Sequence, residues 1–303
     1  MVQGQGFGLL HVMANSGEGV GDANPLPTHD ATAMLAEHWG KVYENNATAR
    51  TREWHCEYHD VQGFIARFCE SASHPEGTVL DVGCGGSCFG ERVLGDFGLG
   101  HLFLTDIDPG IVEILKARYE TALHEGAPKS VTCEVMDCTD MKSIASNSCA
   151  VVLDKGTLDA LHGEKDKMRM LLECGRVLAA SGVFVSVSFA SAKRVPVLME
   201  AAKRMRLQLR IKVLGQGDPR FGHTVYFVAV LGKDLGTAGT GTGCLGTGSG
   251  MDFDNDDLAY ASEDELTQTV LTRVHRASSV IEYDPPSKED ELTLFDESDG
   301  EYP

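Results

Sequence analysis

Seven short apolar runs punctuate the middle of the chain, at 78–83 (TVLDVG), 101–106 (HLFLTD), 131–136 (VTCEVM), 149–154 (CAVVLD), 182–189 (GVFVSVSF), 207–214 and 223–231. Each has strand length. Helical periodicity fills the gaps: Ile111, Ile114, Leu115 and Tyr119 share one helical face, and Met168, Leu171, Leu172 and Val177 share another. Strands separated by helices imply right-handed βαβ crossovers, hence an α/β fold with a mostly parallel sheet and helices on both faces. Such sheets bind ligands beyond the carboxyl ends of their strands, so the informative residues are expected there.

The alternation stops at both ends. Residues 1–29, rich in Gly, Asn and Ser without a sustained period, read as a flexible leader. The domain proper is expected over 30–234. A Gly/Thr-rich linker follows at 235–250, and residues 251–303 read as an acidic, disordered tail with room for a short helix within 261–275. That tail carries 16 Asp or Glu against Arg273, Arg276 and Lys288. Most of the chain's net charge of −19, from 26 basic and 45 acidic residues, is therefore concentrated there.

Charge and composition narrow the class. An acidic chain does not suit diffuse attraction to phosphates, so no nucleic-acid partner is expected. No window approaches the roughly 18 apolar residues of a membrane helix, so no membrane partner is expected either. Nine cysteines without a C-x-x-C pair support neither a disulfide framework nor a metal site. The first Lys is Lys41 and the first Arg is Arg50, unlike a basic presequence, and a cytoplasmic location is expected.

The strand ends carry the chemistry. The first strand runs into Asp81-Val82-Gly83-Cys84-Gly85-Gly86-Ser87-Cys88-Phe89-Gly90, where glycines let backbone approach a ligand and turn into a helix. Cys88 stands where a dinucleotide fingerprint needs its third glycine, and no G-K-[ST] follows, so neither a dinucleotide site nor a P-loop is indicated. Asp81 would repel a pyrophosphate but suits a ligand bearing an ammonium and a sulfonium. It has two readings, direct ligand contact or bracing of the loop. The second strand ends Asp106-Ile107-Asp108-Pro109; Asp106 is placed to accept both hydroxyls of a ribose, and Asp108 before Pro109 reads as an N-cap. The third ends Met136-Asp137-Cys138, where Asp137 has a base amino group or a cap to serve.

Glycine turn, ribose acid and base acid on three successive strands resemble the class I S-adenosylmethionine-dependent methyltransferases, over about residues 35–232. The stretch Asp154-Lys155-Gly156-Thr157-Leu158-Asp159-Ala160 is similar to that of the elongation factor 1-alpha lysine methyltransferase group, and the citrate synthase lysine methyltransferase carries a similar run. The resemblance implies a Rossmann-like, doubly wound, seven-stranded sheet with an antiparallel last strand. It implies S-adenosyl-L-methionine as cofactor, held by Asp81, Gly83, Gly85, Asp106, Ile107, Asp137, Cys138 and Asp154. Trp39, Tyr43, Trp54 and Tyr58 resemble the aromatic segments that cover the cofactor in that group. Here His55-Cys56-Glu57 separates Trp54 from Tyr58, a departure from its tight E-W-Y spacing. The alternative is that Trp54 and Tyr58 pack one helical face onto the sheet.

The implied reaction is an in-line displacement onto a protein lysine, which rests mainly on alignment and exclusion of water. A lysine amine near pKa 10.4 costs about 4.6 kcal/mol to neutralise at pH 7, so a carboxylate or an apolar channel must help. Asp154 is the expected catalytic group, orienting or deprotonating the amine; its alternative role is to cap the helix that follows. Asp159 is read as a structural acceptor, Lys155 as a solvated loop charge, and His223 as a weaker acceptor-side candidate. A small-molecule methyltransferase and a non-catalytic scaffold acting through the acidic tail are the competing functions. The expected partner is a protein substrate with an accessible lysine.

Overall fold

The strands predicted from the apolar runs form one sheet in a computed structural model that describes residues 28–121, 128, 130–191, 193–216, 218–222, 224–235 and 281–283. They are β1 (Thr78–Val82), β2 (His101–Asp106), β3 (Val131–Val135), β4 (Cys149–Lys155), β5 (Leu178–Phe189), β6 (Gln208–Leu214) and β7 (Tyr226–Gly232). A three-residue β8 (Ile281–Tyr283) pairs antiparallel with β6. Strand order is β3-β2-β1-β4-β5-β7-β6-β8. β1 to β5 are parallel; β7 inserts antiparallel between β5 and β6. This is the mostly parallel, Rossmann-like sheet that was expected, with β7 antiparallel, and β8 adds an eighth, also antiparallel, strand beside β6.

The helices are α1 (Thr28–Asn45), α2 (Tyr58–Ala72), α3 (Phe89–Asp96), α4 (Pro109–Glu120), α5 (Thr157–Ala160), α6 (Gly163–Val177) and α7 (Arg194–Met205), with 3-10 turns at Ala47–Arg50 and Pro219–Phe221. Their starts follow local chemistry. Glu57 and Asp60 form a capping box at the head of α2, and Asp108 Oδ1 accepts the Ile111 amide at 2.7 Å to cap α4, with Pro109 at its first position. On α6 the buried face is Met170, Leu171, Cys174 and Val177; Met168 and Leu172 are half-buried, one helical step from the expected stripe.

The core on one side of the sheet sets Val61, Phe64, Ile65 and Phe68 of α2 against Val151, Leu153, Val183, Val185 and Val187 of β4 and β5. Each such enclosed side chain contributes about 1.5–3 kcal/mol of burial. Alternation along the central strands sends Leu153 to that face and Asp154 to the other, which places a carboxylate at the carboxyl end of β4.

The chain divides into two compact units at Leu35/Ala36, and the described part of the first is the start of α1. Most of the leader, linker and tail lies outside the described residues, as does the 261–275 helix. β8 is the one described piece of the tail segment, and it supplies hydrogen-bond partners to the outer edge of β6. Among the described residues no helix is long and apolar enough to cross a membrane.

Candidate functional site

The loop after β1 turns on Gly83 (φ +60°) and Gly85 (φ +54°), both in the left-handed region that other residues enter at a cost of about 1–2 kcal/mol. A Cβ on Gly83 would overlap the Thr157 side chain, whose hydroxyl donates to the carbonyls of Val82 (2.8 Å) and Gly83 (3.2 Å). A Cβ on Gly85 would lie 3.0 Å from Tyr43 Oη. The loop is therefore packed between the turn after β4 and α1, with backbone rather than side chains filling the space.

Three carboxylates stand at the ends of adjacent strands. Asp106 accepts the Gly85 amide at 2.9 Å on Oδ2 and the Asp108 amide at 3.0 Å on Oδ1; burial pushes its pKa up to about 6, against those amides. Asp81 accepts the Gly90 amide at 3.1 Å, and burial pushes it up to about 7 although Lys155 pulls it down. That bond ties the end of β1 to the head of α3. Asp137 Oδ1 accepts the Thr139 amide at 2.8 Å, capping the turn after β3. Cys138 beside it is half-buried, and burial pushes its thiol up. Ile107, half-buried, sits between Asp106 and Asp108.

Asp154 is fully enclosed. Oδ1 accepts the amides of Thr157 (2.9 Å) and Leu158 (3.1 Å), Oδ2 accepts the Ser186 hydroxyl (2.6 Å), and burial pushes its pKa up to about 6. Of the two roles weighed for it, the helix cap is the one whose hydrogen bonds are present. The carboxylate turns into the sheet's far face and holds the Lys155–Thr157 turn in place.

The aromatic residues divide. Trp39 packs at a tilt against Tyr43 (ring centroids 5.9 Å) and meets Trp54 edge-on (6.0 Å), so these three form one group, with Tyr43 beside the glycine loop. Tyr58 stands apart from these three: its ring packs edge-on to Phe89 at the head of α3, and its hydroxyl donates to Asp96 at 2.8 Å, at the end of that helix.

Lys155 is a correction, because its side chain is 5% exposed rather than solvated. Its ammonium pairs with Glu53, whose carboxylate also accepts from Ser87 Oγ (2.6 Å) and the Cys88 amide (2.8 Å). Asp159 is, as expected, a structural acceptor, taking bonds from His55 Nε2 (2.9 Å), the Phe189 amide (2.9 Å) and Arg194 (2.6 Å). Glu53, His55, Ser87, Thr157 and Arg194 were not among the expected site residues, although a lysine at the end of an otherwise apolar strand signals a buried partner. His223 lies outside the described residues. Among the described residues no group of three or more His, Cys, Asp or Glu is arranged to hold a metal ion.

This arrangement suits a polar, cationic ligand carrying a diol. Carboxylates accept hydroxyl and ammonium donors, and the loop beneath them is too closely packed to add bulk.

Comparison with known proteins agrees with the fold. Residues 80–186 match the methyltransferase domain family. The chain is 31% identical over 178 residues to the eEF1A lysine and N-terminal methyltransferase of Danio rerio, covering 58% of this chain and 24% of that protein. It is 29% identical over 178 residues to the EEF1A lysine methyltransferase 4 of Mus musculus (54% and 65%), and 28% identical over 164 residues to the mitochondrial citrate synthase-lysine N-methyltransferase of Danio rerio (50% and 65%). The chain thus spans less than two thirds of these relatives, and only about a quarter of the first. The magnesium protoporphyrin IX methyltransferase from Synechocystis, solved with bound SAM, shares the fold at a TM-score of 0.50 and 12% identity, covering 70% of this chain and 100% of that one. With its mostly parallel sheet, glycine loop and strand-end carboxylates, the chain has a Rossmann-like fold, and the segment 80–186 within it matches the methyltransferase domain family.

Proposed function

We propose that this chain is a cytoplasmic S-adenosylmethionine-dependent methyltransferase that transfers methyl to a lysine of a protein substrate such as an elongation factor. The observation that carries the reading is the Asp106 carboxylate, fixed by the Gly85 amide at the mouth of the glycine loop. The D-K-G-T-L-D-A run, similar to that of the lysine methyltransferases, supports the choice of acceptor. When bound, the cofactor supplies a methyl group already activated on sulfonium.

The protein's part is then to bind, align and exclude water. Asp106 receives the ribose hydroxyls. Asp81 sets the head of α3 and adds negative charge facing a cation. Asp137 and Cys138 flank the base, while Trp39, Tyr43 and Trp54 cover the loop. Asp154 acts by positioning the turn at the end of β4, where the acceptor amine arrives. Neutralising that amine falls to the apolar surroundings of the turn, where Phe189 and Tyr226 stack at 5.4 Å.

The test is isothermal titration of the protein with S-adenosylmethionine, S-adenosylhomocysteine and NAD, followed by labelled methyl transfer into a lysate resolved on a gel. Binding of the first two but not NAD, with one dominant labelled protein whose label maps to lysine, is the expected result. Label confined to small molecules would replace the acceptor assignment, and absence of binding would remove the cofactor.

A further inference from the structure

The run Lys155–Asp159 and the segment Glu53–Cys56, about 100 residues apart, hold each other at two buried points. At the first, the Lys155 ammonium meets the Glu53 carboxylate and donates to the carbonyls of Trp54 (3.2 Å) and Cys56 (3.5 Å). All three of its donors are used. Through Ser87 and Cys88, Glu53 ties the same point to the end of the glycine loop. At the second, His55 Nε2 lies 2.9 Å from Asp159 Oδ2, with both side chains enclosed. The imidazole stacks on Tyr226 (4.9 Å) and lies 4.6 Å from Phe189. His55 itself is held at φ +65°, a left-handed conformation. A Cβ on Gly156 would fall 2.9 Å from its Nε2, so the imidazole packs directly on the Gly156 backbone.

Burying a lysine and a carboxylate is poor value for stability, because desolvation consumes most of the attraction; a pair of apolar side chains would serve as well. What the ion pair adds is direction. It binds one particular carboxylate and two particular carbonyls, and so fixes where the Trp54 segment lies relative to both the glycine loop and the turn after β4.

We propose that Lys155 is a positioning residue for methyl transfer: it clasps the Trp54 segment onto the glycine loop, with His55–Asp159 as the second closure, so that the cofactor cover and the acceptor turn move as one body. The proposal rests on the methyltransferase reading. It separates Lys155 from the catalytic groups, because its ammonium is consumed by Glu53 and two carbonyls and has no donor left for substrate.

The experiment compares wild type, Lys155→Met and the double variant Glu53→Gln/Lys155→Met. The single variant strands a buried carboxylate and loses stability; the double variant removes that charge and recovers a melting temperature near wild type. The clasp predicts that the double variant still binds S-adenosylhomocysteine at least tenfold more weakly and shows a raised KM for S-adenosylmethionine, with kcat at saturating cofactor within about threefold of wild type. Amide hydrogen exchange in the peptide spanning 52–58 should quicken in the ligand-free double variant. A folded double variant with wild-type affinity and exchange overturns the proposal, as does a double variant that cannot fold, which would make Lys155 a folding requirement. If wild type binds neither S-adenosylmethionine nor S-adenosylhomocysteine, the methyltransferase reading falls and takes the proposal with it.

Discussion

Asp106, the last residue of β2, accepts the amide of Gly85 from the loop after β1 across 2.9 Å, so the expected ribose acceptor is also the brace of the glycine turn. The two tasks share one carboxylate. Asp106→Ala should weaken cofactor binding and also cost stability, because two buried amides lose their acceptor, at about 1–3 kcal/mol. Affinity for S-adenosylhomocysteine should still fall at least tenfold by calorimetry at a temperature where the variant is folded. The wild-type protein offers a gentler test. Burial sets Asp106 to about 6, so the ionised acceptor is lost as pH falls through that value, and affinity should weaken from pH 7.5 to pH 5. A flat affinity across that range would exclude ribose recognition by this group.

Asp154 titrates with the opposite consequence for stability. Its pKa in the folded protein, about 6, lies above the roughly 3.9 of an unfolded chain, so between those values the folded state binds more protons. The contribution to stability therefore grows as pH falls through 6 and is lost as pH rises. Asp154→Asn keeps an oxygen for the Thr157 and Leu158 amides but cannot titrate. Melting temperatures measured from pH 8 to pH 5 should show wild type gaining on the variant as pH falls. A wild-type advantage that shrinks instead would contradict the buried, proton-binding carboxylate. Asp154→Ala, which leaves two amides and the Ser186 hydroxyl without their acceptor, should cost about 2–4 kcal/mol at pH 5 and less as pH rises.

Gly83 and Thr157 are coupled sterically across the two loops. Gly83→Ala forces a side chain into a left-handed conformation and into the Thr157 side chain, for an expected loss of about 2–4 kcal/mol. Removing the obstacle in Gly83→Ala/Thr157→Ala leaves mainly the backbone strain and the lost Thr157 hydroxyl bonds. Denaturant unfolding of the two single variants and the double should therefore give a combined loss smaller than the sum by at least about 1 kcal/mol. Strict additivity would show that the loop relaxes away from Thr157.

What the sequence made legible is what local chemistry dictates. The apolar runs became strands because their lengths and composition leave no other way to bury them, and Asp108 before Pro109 became the cap of α4 because both residues suit only that position. The placement of Asp106 follows from counting along a βαβ unit. Contacts between distant segments were not legible. Nothing near Lys155 in sequence names Glu53 as its partner, and a charged residue on a loop is usually solvated, so the buried pair was missed. Asp159 shows the intermediate case: its structural role was readable, but its partners His55 and Arg194 depend on how α2 and α7 pack.

The three residues between Trp54 and Tyr58 lead to a contrast between two tyrosines. Tyr43 is buried beside the glycine loop, where its hydroxyl would sit 3.0 Å from a Cβ on Gly85, and the nearby Asp106 adds to burial in holding its hydroxyl protonated. Tyr58 spends its hydroxyl on Asp96, which also accepts from Gln62 at 2.6 Å. Tyr43→Ala should weaken S-adenosylhomocysteine binding several-fold, because it opens the wall above the loop to water. Tyr58→Phe should leave that affinity within twofold and cost at most about 1 kcal/mol of stability, since Asp96 keeps Gln62 and is solvent-accessible. Titration calorimetry on the two variants decides it. If Tyr58→Phe lowers affinity as much as Tyr43→Ala, Tyr58 belongs to the aromatic cover with Trp39 and Trp54, as the resemblance implied despite the altered spacing.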